Sequence, residues 1–351
     1  MRDRGLLATV TAVLSAAVAI AAPAASGTPR VRPIMLQWVG DIALSTQRGL
    51  PPEGLIRALA PVRRLLGSAD VTLGNLEGTL STGGASKCGG IGSATCFAFQ
   101  APPSYAFALR ALGFGVLNQA NNHSMDYGTV GRSQTLAALR AAGIANTGLP
   151  GQITLRRIAG RRVAFLGFAP YSYDADLLDI PAARLLIRRA RRLARLVVVI
   201  IHAGAEGTDQ LHTPLGSQYY LGEDRGDARA FAHAAIDAGA SIVLGSGPHV
   251  IRGIERYHER LIAYSLGDFV GYHTLAGGGV LSQSAILRVT LGADGRVLRG
   301  RWIAIRLSDG LPRPDRSDAS AHLVGALSRA DFGARRFVIG PSGLFHIAAF
   351  H

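Results

Sequence analysis

The chain has few of the features that mark a disulfide scaffold, a multi-span membrane protein or a disordered protein. Only two of its 351 residues are cysteine, which excludes a disulfide-rich scaffold. After residue 25 no apolar run reaches membrane-spanning length. Charged residues make up 17% of the chain and hydrophobic residues 48%, a balance typical of a globular protein with a buried core.

Lysine is almost absent, because Lys87 is the only one. Nearly all of the formal net charge of +14 therefore comes from arginine, and a charge of this size attracts acidic polymers or anionic surfaces. An acidic polymer is the favoured partner over nucleic acid. The densest arginine run, residues 184–195, has helical spacing, which is typical of either a solvated helix face or a polymer-binding patch.

The first 25 residues have the pattern of a secretory signal peptide. Arg2 and Arg4 precede an apolar run over residues 6–20, and the small residues at 22–25 suit cleavage near Ala25. An uncleaved membrane anchor is the alternative interpretation, since the apolar run barely reaches spanning length. In either case we expect an extracytoplasmic protein that is secreted or held at the cell surface.

Cys88 and Cys96 lie in a Gly- and Ser-rich segment of this predicted exported chain. A disulfide persists in an oxidising compartment, so we expect the two cysteines to form one loop staple. A two-cysteine metal site is the alternative, although the segment has no second pair of ligands.

Short apolar runs alternate with amphipathic segments, which predicts an α/β fold with much parallel sheet and a single domain over residues 26–351. The pattern predicts a β-hairpin over residues 285–291 and 297–307, so the sheets are expected to be mixed, and a strand-like tail over residues 337–345. The other predicted strands are residues 34–39, 71–73, 114–117, 163–168, 196–201, 242–244 and 261–264. The predicted helices are residues 54–66, 105–112, 131–142 and 228–238.

Polar residues follow six of the apolar runs, at the strand ends where open α/β sheets bind ligands. Each group alone has an ordinary explanation as a turn or a helix cap. Together they offer the oxygen and nitrogen ligands of a divalent metal site, beside a histidine able to protonate a leaving group. The groups are Gly40-Asp41, Asn75-Leu76-Glu77, Asn121-Asn122-His123, His202 with Glu206, Gly247-Pro248-His249 and Gly267-Asp268.

The order of these motifs resembles that of the CapA family of capsule-biosynthesis proteins. The resemblance extends over residues 34–271 and includes Ala120-Asn121-Asn122-His123 with Asp126-Tyr127-Gly128, and Tyr264-Ser265-Leu266-Gly267-Asp268-Phe269. It implies a metallophosphatase-like fold, a sandwich of two mixed β-sheets flanked by helices, with a β-rich C-terminal completion. It also implies a role in the production, export or anchoring of a poly-γ-glutamate capsule.

The resemblance implies roles for individual residues as well. His123 would be the general acid, and Asp126 and Glu206 would support neighbouring histidines. The divalent metal or metals could be Mn, Zn, Fe, Mg or Ca. The implied metal ligands are Asp41, Glu77, Asn122, His202 and His249.

Three positions depart from the family pattern. Gly247 stands where many members have a histidine before the Pro-His pair, which removes one possible ligand and puts complete dinuclear chemistry in doubt. Ala43 stands where many members have a histidine. Asp268 replaces the more usual asparagine, which either adds an oxygen ligand or keeps a turn.

Two functions follow from these observations. The first is a metal-dependent, phosphoesterase-like hydrolase acting on a phosphate-containing envelope substrate or an acidic polymer, with water as the nucleophile. The second is a non-catalytic component that binds, exports or anchors polyglutamate through its arginine-rich surface, alongside capsule-synthesis membrane proteins. A serine hydrolase using Ser246 is disfavoured, because the sequence around it lacks the spacing of a nucleophile elbow.

Overall fold

The predicted apolar runs form two β-sheets in the computed structural model, which describes residues 32–45, 49–51, 53–89, 96–273 and 277–345. The predicted signal segment, residues 1–25, lies outside the described residues. In chain order the strands are β1 (Ile34–Ala43), β2 (Val71–Leu76), β3 (Thr79–Leu80), β4 (Gln100–Ala101), β5 (Phe114–Asn118), β6 (Ala145–Thr147), β7 (Thr154–Ile158), β8 (Arg161–Phe168), β9 (Leu196–His202), β10 (Tyr219–Tyr220), β11 (Glu223–Asp224), β12 (Ile242–Ser246), β13 (Ile254–Tyr257), β14 (Arg260–Ala263), β15 (Asp268–Gly271), β16 (Gln283–Leu291), β17 (Val297–Ser308), β18 (Leu311–Pro314) and β19 (Leu344–Phe345).

The helices are α1 (Gly54–Ala58), α2 (Arg63–Leu66), α3 (Tyr105–Ala111), α4 (Gly128–Ala141), α5 (Ile180–Leu193), α6 (Ala228–Asp237) and α7 (Ala319–Phe332), with 3₁₀ turns at Ala60–Val62, Gly279–Ser282, Gly333–Arg335 and Pro341–Gly343. Helices α1–α6 lie on the outer faces of the sheets, whereas α7 packs Ala321, Val324 and Leu327 into the core between them. Among the described residues, none of these helices is both long and apolar enough to cross a membrane.

Both large sheets are mixed, as the sequence predicts. In the first, β1, β2, β5 and β6 are parallel, β15 joins the end of β1 in parallel, and β16 and β17 add an antiparallel hairpin. In the second, β8, β9, β12 and β14 are parallel, and β7 and β13 are antiparallel edge strands. The predicted sandwich of two mixed sheets flanked by helices is therefore confirmed.

Each sheet packs one face against the other sheet and the opposite face against helices. In β9, Val198 belongs to the core between the sheets, whereas Val199 packs in the cluster that contains α5 and α6 residues. A parallel strand buried on both faces gives a continuous apolar run, which is why these strands are visible in the sequence. The Trp38 indole N–H donates to the carbonyl of Gly245 at 3.2 Å, which links the two sheets.

Two secondary-structure predictions are wrong. The predicted helix over residues 54–66 is broken into α1, a 3₁₀ turn and α2, because Pro61 has no N–H to continue the hydrogen-bond ladder. The predicted strand-like tail over residues 337–345 contains only the two-residue β19. A turn at Pro341–Gly343 interrupts it, and Gly343 has φ +71°, outside the strand region.

The strand register brings the polar residues to one edge. Asp41 of β1 pairs with Asn75 of β2 on one side and with Asp268 of β15 on the other. His202 ends β9 of the second sheet, and its ring reaches within 3.8 Å of Asp41. The carboxyl ends of strands from both sheets therefore meet at one place.

Candidate metal centre

Four buried side chains form a compact cluster at the strand ends. They are Asp41 in β1, Glu77 just after β2, His249 just after β12 and Asp268 in β15. One possible ligand atom of each residue lies within 4.8 Å of those of the other three. Three carboxylates this close together repel one another unless protons or a cation lie among them.

His202 adjoins this cluster from the second sheet. Its Nε2 lies 3.9 Å from Glu77 Oε1, and its Nδ1 lies 3.8 Å from Asp41 Oδ1. The Asn75 side-chain amide donates to Asp41 Oδ1 at 2.7 Å and lies 3.2 Å from His202 Nδ1. Asn75 thus ties a carboxylate of one sheet to an imidazole of the other.

Several atoms here have no hydrogen-bond partner within the described part of the chain. They are both carboxylate oxygens of Glu77, Nε2 of His202, Oδ2 of Asp268 and Oδ1 of Asn122. A buried polar atom left without a partner costs about 1–3 kcal/mol. Carboxylate, imidazole and amide groups are the ligand types that divalent metals take. The residues present therefore fit a divalent cation.

The electrostatics of the cluster agree with a cation site. Burial, reinforced by the charge of Asp41, raises the pKa of Glu77 well above its ordinary value. Burial also raises the pKa of Asp268 to about 7. Burial alone lowers the pKa of His249, but Asp268 and Glu77 raise it well above its ordinary value. The metal-free cluster thus retains protons, which metal binding would displace.

Glu206, in the loop after β9, lies against His249. Its Oε2 is 3.5 Å from His249 Nε2, and its Oε1 is 2.8 Å from Nη1 of Arg225. Burial alone raises the pKa of Glu206, but His249 and Arg225 outweigh burial and lower this pKa to about 2. The lowered pKa favours the carboxylate form of Glu206 beside His249.

His123 and Asp126 form a separate pair beside the cluster. His123 Nδ1 lies 2.9 Å from Asp126 Oδ2, and its Nε2 lies 4.0 Å from Glu77 Oε1. The imidazole ring stacks on Phe99 with a centroid distance of 4.3 Å. Burial lowers the pKa of His123, and Asp126 partly opposes that shift. The contact through Nδ1 leaves Nε2 as the ring atom that faces the cluster.

A cavity of about 700 Å³ opens onto both groups of residues. His123, Asn122 and His249 line it on the cluster side. Aromatic and charged side chains form much of the remaining wall, among them Tyr171, Tyr220 and Arg225. Its volume lies within the range of about 300–1,000 Å³ that is usual for ligand pockets.

Two of the positions that depart from the family pattern, Gly247 and Asp268, lie at the cluster. Gly247 has φ +114°, and a Cβ atom built there lies 3.0 Å from the backbone nitrogen of Ala203, so a histidine would be strained. The backbone N–H of Gly247 donates to Asp41 Oδ2 at 3.1 Å, so at this position the backbone, and not a side chain, contacts the cluster. Asp268 lies within the cluster, so its carboxylate is close enough to the other three residues to share a metal ion with them.

Ser246 is not placed as a nucleophile. It is fully buried, and its hydroxyl donates to the carbonyl of Ile201 at 3.4 Å. The same oxygen lies 3.3 Å from Nδ1 of His202, so it can orient that imidazole. It does not line the cavity that reaches the cluster.

Sequence reasoning missed two cations at this site, Lys87 and Arg225. Both line the cavity, and each lies within 3 Å of a carboxylate oxygen assigned a role above. Nothing in the residues next to Arg225 distinguishes it from the other arginines of the chain. For Lys87 a signal was present, because it is the only lysine.

The fold and the cluster define the chain as an α/β sandwich protein with a candidate metal centre at its strand ends. Residues 35–273 match the family model described as bacterial capsule synthesis protein PGA_cap, and the chain belongs to this family.

Two curated relatives are capsule proteins of Bacillus. The PGA biosynthesis protein CapA of Bacillus subtilis (strain 168) is 33% identical over 184 residues, which cover 46% of this chain and 44% of the relative. The capsule biosynthesis protein CapA of Bacillus anthracis is 29% identical over 231 residues, which cover 59% of this chain and 51% of the relative. The chain therefore spans about half the length of these two relatives.

A solved structure similar to this chain is that of a 5'-nucleotidase precursor from Thermus thermophilus. The alignment covers 85% of this chain and 59% of that chain, with a TM-score of 0.44 and 14% identity. At this level of likeness its activity does not carry over to this chain.

Proposed function

We propose that the protein is an extracytoplasmic, metal-dependent hydrolase in poly-γ-glutamate capsule synthesis, acting on a phosphate ester or an acidic cell-envelope polymer. The family match supports the capsule role. The observation that carries the hydrolase role is the set of unpartnered ligand atoms of Glu77, His202 and Asp268, beside a cavity lined by His123.

The residues proposed to hold the metal come from both sheets. A divalent cation, one of Mn, Zn, Fe, Mg or Ca, supplies Lewis-acid stabilisation of negative charge on a phosphoryl or acyl oxygen. Glu77 lies at the centre of the set, because Nε2 atoms of three histidines surround its Oε1 at 3.8–4.0 Å. The proposed ligands are Asp41, Glu77, Asn122, His202, His249 and Asp268.

His123 is proposed to donate a proton from Nε2 to the leaving group. Asp126 holds the ring through Nδ1 at 2.9 Å, so Nε2 keeps a fixed direction toward the cavity. An anionic substrate in the cavity would raise the pKa of His123 and favour its protonated form. Glu206 and Arg225 keep His249 in place at the far side of the cluster.

Turnover of bis-p-nitrophenyl phosphate, p-nitrophenyl phosphate and poly-γ-glutamate in the presence of each metal tests this function. His123→Asn should lower kcat by about 100-fold or more, the usual contribution of a general acid. His233→Asn is the matched control, because His233 also pairs with a buried carboxylate, Glu255, at 2.8 Å but lies outside the site. Turnover that is absent in the wild type, or equal in both variants, would contradict the hydrolase function.

The extracytoplasmic location is part of the same proposal. Cys88 and Cys96 are joined as a disulfide with an S–S distance of 2.09 Å, the pairing that the sequence predicts. Such a bond persists in oxidising compartments. Thiol counting on denatured protein from its native envelope should find no free thiol before reduction and two after it. Two free thiols before reduction would argue against both the bond and the location.

Non-catalytic polymer binding is the second candidate, and a basic cleft favours it. A cavity of about 220 Å³ at the amino ends of β2 and β5 is lined by Arg110, Arg156 and Arg157. The carboxylate in this cleft, Asp70, is already paired with Arg32 at 2.7 Å. The three arginines therefore present a net positive charge to an acidic chain.

Binding of poly-γ-glutamate at increasing salt tests this candidate. Arg110→Ala with Arg156→Ala should weaken binding by about 10-fold and reduce its salt dependence, as expected of surface electrostatics. Arg188→Ala with Arg192→Ala on the exposed face of α5 is the charge-matched control. Equal losses in both double variants would show that binding follows total charge rather than this cleft.

A further inference from the structure

The only lysine of the chain lies at the His123–Asp126 pair. Its ammonium nitrogen is 2.6 Å from Asp126 Oδ1 and donates to the backbone carbonyl of Asn122 at 3.1 Å. It also lies 3.5 Å from His123 Nδ1. Lys87 therefore contacts the proposed general acid, its carboxylate partner and the backbone of a proposed metal ligand.

Asp126 is held from three directions. Lys87 lies against Oδ1, whereas the N–H of Phe99 donates to Oδ2 at 2.6 Å and His123 Nδ1 contacts the same oxygen at 2.9 Å. The backbone N–H of Lys87 also donates to the carbonyl of Asp126 at 2.8 Å. Without its cation, Asp126 would lose its contact at Oδ1 and could rotate away from the imidazole.

This ion pair differs from an ordinary surface pair. Exposed pairs contribute little to stability because water screens both charges. The side chain of Lys87 is 35% exposed, but that of Asp126 is 0% exposed, so water cannot solvate the carboxylate in its place. Loss of one partner of a buried charge leaves the other uncompensated.

The disulfide joins the two chain segments that hold Asp126. Cys88 directly follows Lys87, and its partner Cys96 lies three residues before Phe99, which stacks on His123. Both segments also line the cavity that leads to the cluster. The bond therefore couples the position of the lysine to that of the aromatic ring over the imidazole.

We propose that Lys87 is a positioning residue for the His123–Asp126 pair. Its ammonium group, held between Asp126 and the carbonyl of Asn122, fixes the orientation in which His123 presents Nε2 to the cavity. A primary ammonium suits this place because it directs three N–H donors around one point, whereas the guanidinium that the chain uses elsewhere is a planar fork. This inference rests on the proposed hydrolase function, since it assigns His123 a proton to deliver.

Chemical rescue tests the role of the ammonium group. Lys87→Ala should lower kcat by about 10–100-fold, with KM and metal content unchanged, as for loss of an orienting partner. Ethylammonium should restore part of kcat, whereas tetramethylammonium, which has no N–H, should not. Arg57→Ala is the control, because it breaks an exposed ion pair with Glu53 outside the site. An unchanged kcat in Lys87→Ala, or equal rescue by both cations, would overturn the proposal.

A second readout does not depend on turnover. Because Lys87 is the only lysine, protein labelled with [¹⁵Nζ]lysine should give one ammonium signal in an NMR spectrum. Contact with Asp126 predicts slow exchange of its protons with water and a shift of the signal in Asp126→Asn. A fast-exchanging signal that Asp126→Asn leaves unmoved would overturn the proposal. A slowly exchanging signal that moves in Asp126→Asn, in a protein that shows no turnover, would contradict the hydrolase function but not the contact between Lys87 and Asp126.

Discussion

Glu77 and Glu255 are both fully buried glutamates, yet only Glu255 has hydrogen-bond partners, and its second oxygen, Oε1, lies 3.5 Å from Nε of Arg335. Oε2 of Glu255 lies 2.8 Å from His233 Nε2 and accepts from the hydroxyl of Tyr264 at 2.7 Å. Neither oxygen of Glu77 has a hydrogen-bond partner among the residues the structure describes. A buried carboxylate with partners stabilises a fold, whereas one without partners is a cost that a ligand can offset. The comparison separates a structural carboxylate from a candidate ligand without reference to any relative.

Removing the charge at Glu77 should give the largest effect. Glu77→Gln should weaken metal binding by more than about 100-fold, since loss of a ligand should exceed the 10–100-fold effect of losing an outer partner. Above the raised pKa of Glu77, the metal-free variant should be at least as stable as the wild type, because glutamine has no buried carboxylate to ionise. Calorimetric titration of Mn²⁺ or Zn²⁺ and urea unfolding in EDTA measure the two quantities. Unchanged affinity would remove Glu77 from the metal site.

Asp268 has a partner at one oxygen only, because Oδ1 is 2.8 Å from His249 Nδ1 while Oδ2 has no hydrogen-bond partner among the described residues. Asp268→Asn keeps one ligand oxygen but removes the charge, so metal affinity should fall by about 10–100-fold. Asp331→Asn is the matched control, since Asp331 pairs with His212 at 2.6 Å outside the cluster. The same titration compares the two variants. If Asp268→Asn bound metal as tightly as Asp331→Asn, Asp268 would have a turn role only.

Glu255→Gln should have the reverse pattern. It removes a charged acceptor from His233 and Tyr264, which should lower the free energy of unfolding by about 1–3 kcal/mol. Metal affinity should not change, because Glu255 lies outside the cluster. Urea unfolding in EDTA and the titration of metal provide both values. A loss of metal affinity here would show that the two sites are coupled and that the comparison is invalid.

The two glutamates also predict opposite dependences of stability on pH. Burial raises the pKa of Glu77 well above its ordinary value of 4.5, so the metal-free protein loses stability as pH rises from that ordinary value through the raised pKa. Burial alone raises the pKa of Glu255, but hydrogen bonds from His233 and Tyr264 lower it overall. Its contribution is therefore present above its ordinary pKa and lost as pH falls.

The free energy of unfolding of each variant and of the wild type, measured by urea unfolding over a range of pH, tests these two pH dependences. The stability gained by Glu77→Gln should grow with rising pH, and the stability lost by Glu255→Gln should shrink as pH falls. Parallel curves for the two variants would contradict the assignment of one glutamate as partnered and the other as unpartnered.

Much of the fold could be predicted from the sequence because its parallel strands are buried on both faces. β8, β9 and β12 appear as continuous apolar runs, and each lies where the pattern predicts it. β7 was missed because it is an edge strand whose residues 155–157 are exposed. The predicted helix over residues 54–66 is broken at Pro61. An apolar pattern with helical spacing does not reveal such a break in the hydrogen-bond ladder.

The candidate site could be predicted only in part. The residues that follow the apolar runs of the sequence, such as Asp41 and His249, could be predicted because strand ends mark ligand sites in this fold class. Lys87 and Arg225 do not follow any of the apolar runs that mark strands in the sequence, and only tertiary packing brings them to the cavity. That Asp268 lies beside Glu77 and His249 depends on the packing of β15 and could not be predicted from the sequence.

The most direct test of the metal centre is the metal content of the purified mature protein, measured by elemental mass spectrometry. The comparison includes Asp41→Ala with His202→Ala, which removes one side chain from each sheet, and Glu255→Gln as the control. We predict near-stoichiometric metal in the wild type and in Glu255→Gln, and none in the double variant. Absence of metal from the wild type after incubation with Mn²⁺, Zn²⁺, Fe²⁺, Mg²⁺ or Ca²⁺, or its retention by the double variant, would contradict a metal centre at these strand ends.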